Sequence, residues 1–169
     1  VGAFEIDCAA VPRAQLVRVL TSDMNYDPWY GADEAKKPVD WKKLGLVRQA
    51  RTLTATAKEH EWQLHQLRLG QLCGGAGVEG VYLAEVRSSD LRPHPHAPWR
   101  FKPRQRVLAN VTDLGVLLKV GPASGLVWVT RISTGKPVAG GALTVYSPRG
   151  DVGLRGRTGA EGILRLPGA

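Results

Sequence analysis

Cys8 and Cys73 are the only cysteines in the chain, and sulfur is the most reactive element the sequence offers. Two chemistries are open to them. Bonded to each other, they would suit an exported protein and stabilise it by ~2–4 kcal/mol through the unfolded state. Left apart, one inside a predicted strand and one at a strand end, they would be two partly buried thiols. His94-Pro95-His96 suggests a metal, but a site needs three or four ligands, and the prolines hold this backbone extended with no third ligand near. His60 and His65 flank Trp62 and do not add to it. Ser88-Ser89-Asp90 has no histidine at a spacing that would activate a serine. Glycines 70, 74, 75, 77 and 80 lie between two predicted strands and lead into no helix, so no anion-binding helix terminus results. No catalytic constellation, metal site or cofactor motif emerges, and the chain is expected not to be an enzyme.

Binding chemistry has more candidates. Asn25-Tyr26-Asp27-Pro28-Trp29-Tyr30 sits in a polar stretch, 21–43, that is long for a structureless loop. Tyr26, Trp29 and Tyr30 are therefore a candidate contact loop for a sugar or peptide, or else a lid over the open end of a sandwich. Arg149-Gly150-Asp151 matches an integrin-recognition tripeptide, but after Pro148 it is also what a tight β-turn selects. The net charge of +8 raises nucleic acid as a partner. Its distribution argues against one: residues 1–112 hold 16 Lys/Arg against 12 Asp/Glu and residues 113–169 hold 7 against 3, so the excess is spread. Only Arg100–Arg106 (RFKPRQR) is locally dense, and it has no repeated aromatic stacking pattern around it.

The elements that would carry these residues read as strands. In Leu126–Ile132, Trp128, Thr130 and Ile132 share one parity and Val127 and Val129 the other, the two-residue period of a strand with a buried face. Ser133-Thr134-Gly135-Lys136-Pro137 breaks it, because Pro137 has no N–H for a ladder. Val138–Tyr146 resumes. Upstream, strands are expected at Phe4–Cys8, Ala14–Leu20, Val47–Ala57, Glu61–Cys73 (with a bulge near His65-Gln66), Val78–Val86 and Arg106–Val111. Asp40 is placed to cap a single helical turn over 40–44. Trp62, Trp128 and Tyr146 are expected in the core. The fold class is all-β, built of antiparallel sandwiches.

One stretch also carries a resemblance. Val111-Thr112-Asp113-Leu114-Gly115-Val116, then Leu126-Val127-Trp128-Val129-Thr130, then Thr134-Gly135-Lys136-Pro137-Val138-Ala139-Gly140 resembles a macroglobulin-type domain of the bacterial alpha-2-macroglobulins. The aromatic loop at 25–30, the Gly80-Val81-Tyr82-Leu83 strand start and Arg104–Leu108 are similar to the preceding domain in that family. The resemblance implies immunoglobulin- or fibronectin-like macroglobulin sandwiches, residues 1–112 and 113–169, the second incomplete against ~100 residues for a whole one. A Tyr near such a corner would bond backbone through its hydroxyl, which singles out Tyr82. The implied role is structural scaffolding within a broad-spectrum protease inhibitor. The partners would be neighbouring domains of one parent chain and, through the full-length protein, target proteases. The reactive thioester of the family forms in a Cys-x-Glu-Gln run, which neither Cys8-Ala9-Ala10 nor Cys73-Gly74-Gly75 matches, and no bait segment is recognisable.

The chain opens on Val1 without a charged or apolar leader, so it is expected to be an interior fragment of a longer protein. No apolar run approaches the ~20 residues of a membrane span, so no membrane insertion is expected in this stretch. A periplasmic or extracellular location follows from the resemblance, the parent being a candidate membrane-anchored lipoprotein. The alternative from another class is an extracellular immunoglobulin-like adhesion or carbohydrate-binding module, which the Tyr26/Trp29/Tyr30 loop would serve.

Overall fold

The computed structural model describes residues 2–22, 38–55, 64–75, 77, 79–88, 104–147 and 149–167. Tyr26, Trp29, Tyr30, Trp62 and the His94-Pro95-His96 run lie outside the described residues. The chain divides into two compact units, Val1–Val111 and Thr112–Ala169. Both are antiparallel β.

The first unit is a four-stranded sheet in the order β2-β1-β3-β4. Its strands are β1 (Gly2–Ala10), β2 (Gln49–Ala55), β3 (Gly80–Arg87) and β4 (Arg104–Val111). Each face of this sheet carries its own apolar cluster, as the two-residue alternation of side chains requires. On one face, Ala9 and Leu83 meet Val11, Val19, Val39, Leu44 and Leu46. On the other, Ile6, Cys8, Tyr82 and Ala84 meet Cys73.

Helix α1 (Arg13–Leu20) occupies the segment expected to be a strand, and the reason is legible in its spacing. Val19 is buried and Leu16, one turn earlier, packs on the same cluster. Three-residue spacing makes them neighbours on a helix but places them on opposite faces of a strand. Pro12 precedes the first turn in extended conformation. At the far end, the Thr21 and Ser22 hydroxyls donate to the Val17 and Val19 carbonyls at 2.9 and 2.6 Å.

The strand expected over Glu61–Cys73 is also corrected. Its described part, from Leu64, runs without a ladder into a one-turn helix, α2 (Leu69–Leu72). Its leucines follow no partner strand, so their parity carries no register. The segment is instead fastened by Cys73, whose carbonyl accepts from Ala10 N–H at 3.0 Å. Gly70 passes so close to the Gly77 carbonyl that a Cβ there would lie 2.2 Å from its oxygen. The turn at 40–44 is present: Asp40 accepts from Lys43 N–H at 2.9 Å. Trp41 in that turn packs, half-buried, on the Val39/Leu44/Leu46 cluster.

The second unit has a three-stranded sheet, β5-β6-β9, and a two-stranded ribbon, β7-β8. The strands are β5 (Leu114–Val120), β6 (Ser124–Arg131), β7 (Ala142–Tyr146), β8 (Val152–Arg157) and β9 (Ile163–Pro167). Val127 and Val129 of β6 are buried. Leu164, which pairs with Val127 across the ladder, lies against β8 at Gly156, where a Cβ would come within 2.7 Å of its side chain. The ribbon therefore covers the Val127/Val129 side of the sheet. Trp128 points the other way and is 44% exposed, and Tyr146, beside a register shift at the end of β7, is 45% exposed. Both are corrections to the expected core: the inward parity of β6 is the valine one, and Tyr146 closes β7 past the register shift at Val145/Tyr146.

Candidate functional site

Four arginines and three carboxylates line one end of the first sheet. Glu5, Asp7, Glu85 and Arg87 come from β1 and β3, while Arg104 and Arg106 come from β4 and Arg48 precedes β2. The register interleaves them: Glu5 lies opposite Arg87, Glu85 opposite Arg106, and Arg87 opposite Arg104. Asp7 lies directly opposite Glu85, a like-charge pairing that would be destabilising alone. The arginines offset it. Glu85, 1% exposed, accepts from Arg104 Nη1 and Arg106 Nε at 3.0 Å each, one on either carboxylate oxygen. Asp7 accepts from Arg48 at 2.7 Å and faces Arg87 at 3.7 Å, and Arg87 also pairs with Glu5.

This network is structural chemistry. Both oxygens of Glu85 are engaged by guanidiniums, and Asp7 and Glu5 each pair with an arginine of a neighbouring element. Arg104 and Arg106, from the locally basic Arg100–Arg106 run, are turned onto Glu85. The sequence showed only that Glu85 shares the parity of Val81 and Leu83 in β3.

Cys8 and Cys73 form a disulfide, with Cα atoms 5.1 Å apart. Cys8 is fully buried and Cys73 nearly so. The bond closes the α2 loop onto β1, and the Tyr82 hydroxyl donates to the Gly77 carbonyl at 3.1 Å on the same side of the sheet. Gly75 approaches the Tyr82 ring too closely for any side chain. A cleft of about 600 Å³ opens beside this loop, lined by Leu67, Leu69, Gly70 and Val111 among others. Arg68 and Gln71 bring its polar side chains, both on the exposed rim.

In the second unit the Arg149-Gly150-Asp151 tripeptide forms the tip between β7 and β8. Ser147 organises it, its hydroxyl accepting from the N–H groups of Arg149 and Asp151 at 3.2 Å and its carbonyl from Gly150 N–H at 2.9 Å. Gly150 has φ of 90°, a turn conformation that glycine adopts without strain. Asp113 joins the start of β5 to the end of β6: it accepts from Ser133 N–H at 2.8 Å and Ser133 Oγ at 2.9 Å, with Arg131 at 3.4 Å. These hydrogen bonds from Ser133, then the Arg131 charge, hold its carboxyl below the ordinary range. Among the described residues, no three His, Cys, Asp or Glu side chains gather in a group that could hold a metal ion.

Comparison with known proteins decides what kind of frame this is. Residues 111–169 match the family described as the bacterial alpha-2-macroglobulin MG3 domain. Over those residues, which fall, but for Val111, in the second unit, the chain is similar to the bacterial alpha-2-macroglobulins. A curated relative, the alpha-2-macroglobulin homolog of Nostoc sp., is 26% identical over 123 residues, which is 71% of this chain and 6% of that protein. The fold extends over both units: a crystal structure of native alpha-2-macroglobulin from Escherichia coli spanning domains NIE-MG1 superposes with a TM-score of 0.63, covering 100% of this chain and 75% of that one at 15% identity. The cryo-EM native conformation of the whole Escherichia coli protein gives a TM-score of 0.55 at 17% identity, covering 99% of this chain and 10% of that one. The sequence likeness thus rests on the second unit, and the likeness of fold on both. The chain spans a small fraction of the curated relative it matches.

Proposed function

We propose that these two units are scaffold domains of a bacterial alpha-2-macroglobulin-like, broad-spectrum protease inhibitor. They hold other parts of the parent in place and do no chemistry themselves. The observation that carries this reading is the family match over 111–169. Supporting it, the conspicuous charged cluster of the first unit is closed on itself, and the cysteines are joined to each other. A buried disulfide suits an oxidising compartment, so the parent acts in the periplasm or outside the cell. Its partners are the neighbouring domains of the parent chain and, through the full-length protein, the target proteases.

The second domain, residues 113–169, is incomplete within this chain. Val116, Leu118 and Val120 share the inward parity of the buried Val127 and Val129, yet each is more than half exposed. The ribbon sits over the β9 side of the sheet, leaving the position over β5 uncovered. A further strand of the same domain, added to the free edge of β7, would fill it.

The test is inhibition by the full-length parent. Proteases of different specificity, incubated with it, lose activity on protein substrates while the parent changes shape. A parent that leaves every such protease active, and stays unaltered by them, would sink the reading.

A further inference from the structure

The ribbon of the second unit has an outward face of its own, turned away from the sheet it covers. Gly156 lies against Leu164 on the inner side, so the alternate positions of the ribbon point out. The register sets them side by side: Tyr146 with Val152, Thr144 with Arg155, and Ala142 with Arg157, the irregularity at Val145/Tyr146 keeping Val152 beside the tyrosine. Tyr146 and Val152, 45% and 46% exposed, occupy the tip end of this face. Arg149 stands exposed in the tip itself, and Arg155 and Arg157, both exposed, carry positive charge on to the base. Over 142–157 the only acidic residue beside these three arginines is Asp151. Among the described residues none of the three pairs with a carboxylate. Arg157 is held in place without one, its Nη1 donating to the Gly140 carbonyl at 2.9 Å.

We infer that this ribbon face rests on the surface of an anionic lipid bilayer, its arginines against headgroup phosphates and Tyr146 with Val152 in the interfacial layer. A guanidinium grips phosphate oxygens in pairs. A tyrosine, apolar in the ring and polar at the tip, settles at a membrane–water boundary. The other occupants fit less well. A single-stranded nucleic acid stacks its bases on successive aromatic rings, and Tyr146 is the one aromatic residue in 142–157. A folded acidic partner would need carboxylates matched to arginines at both ends of the ribbon and a pocket for the ring at one of them. A bilayer needs no such match, because phosphates lie all across it with hydrocarbon beneath. A second copy packed two-fold would set arginine against arginine along the whole ribbon. The contact is peripheral, a face lying on the membrane rather than a segment spanning it.

Membrane contact does not require the scaffold reading, and its test uses no protease. The 169-residue chain is expected to sediment with vesicles of one part phosphatidylglycerol to two of phosphatidylcholine, and to stay in solution with phosphatidylcholine alone. High salt, which screens exposed charges, should release it. Arg155→Glu with Arg157→Glu should weaken the partition at least tenfold, since every basic residue near an anionic surface adds to the attraction. Arg155→Glu alone, which breaks no contact of the fold, should show part of that loss, and Tyr146→Ser should weaken binding with the charge unchanged. Lys119→Glu with Arg165→Glu makes the same charge change on the outward face of the three-stranded sheet, beside the row of Leu117, Trp128 and Ile163. It should cost less than about threefold, because charges away from the contact are screened. No sedimentation, equal sedimentation with both kinds of vesicle, or an equal loss from the Lys119/Arg165 pair would overturn the inference, as would tighter binding to a single-stranded oligonucleotide. A parent that fails to inhibit proteases would count against the scaffold function alone.

Discussion

The two units solve the same problem, how to keep stacked strands together, in opposite ways. The first buries both faces of its sheet and cross-links them, with a disulfide on one side and a saturated ionic lattice on the other. Among its described residues the second has no disulfide and a single ion pair, Arg131 with Asp113. It holds its turns with backbone-to-side-chain hydrogen bonds and leaves much of its apolar surface in water. A domain that finishes its own core needs nothing from its neighbours. One that presents apolar rows on both faces of a sheet has surface that, on the scaffold reading, its neighbours would cover.

The sharpest way to break this contrast is to cut the cross-link. Replacing Cys8 and Cys73 together by Ala should cost the first unit roughly 4 kcal/mol, from the loop entropy a bridge of this span removes from the unfolded chain. Thermal unfolding should show that unit melting earlier and the second unchanged. A shared loss would mean the units unfold as one. Next, Glu85→Ala leaves Arg106 and Arg104 beside each other without their carboxylate. Such uncompensated buried charge costs about 3 kcal/mol, measurable by urea denaturation, and Glu85→Gln should recover only part. A neutral outcome would show that the lattice is solvated rather than closed.

In the second unit the corresponding weak point is a turn. Gly162 has φ of 70° and a Cβ there would lie 2.4 Å from the Val129 carbonyl oxygen. Gly162→Ala should therefore destabilise this unit by about 2 kcal/mol or more, since both the backbone conformation and the close approach forbid the methyl. The smallest effect concerns pH. Asp113 has its folded carboxyl pKa held below the ordinary 3.8 by Ser133 and Arg131. Its contribution is fully present above the unfolded value and is lost as pH falls through the lower, folded one. Asp113→Asn should flatten the acid limb of the second unit's stability below about pH 4 and leave the first unit's unchanged. An identical acid limb in the variant would remove Asp113 from the account.

Strands with strict alternation and punctuating turns were legible in the sequence: β1, β2, β3, β4 and β6 fall within a few residues of where the pattern places them. Helix α1 was misread because AQLVRVL satisfies a two-residue and a helical period alike over so short a run, and only tertiary contact from Val19 and Leu16 selects between them. The exposed position of Trp128 was illegible for another reason. A strand's period tells which residues share a face but not which face is inward, and here the valines won. The pairing of Glu85 with Arg104 and Arg106 needed the β3–β4 register, which no local pattern supplies.

Hydrogen exchange, resolved by residue, tests the central contrast most directly when residues 1–169 are compared with the full-length parent. Amides of β1 and β3 should exchange equally slowly in both, whereas those on the free edge of β7 should be protected only in the parent. Equal protection of β7 in the two would contradict the claim that the second unit is completed by the rest of the chain.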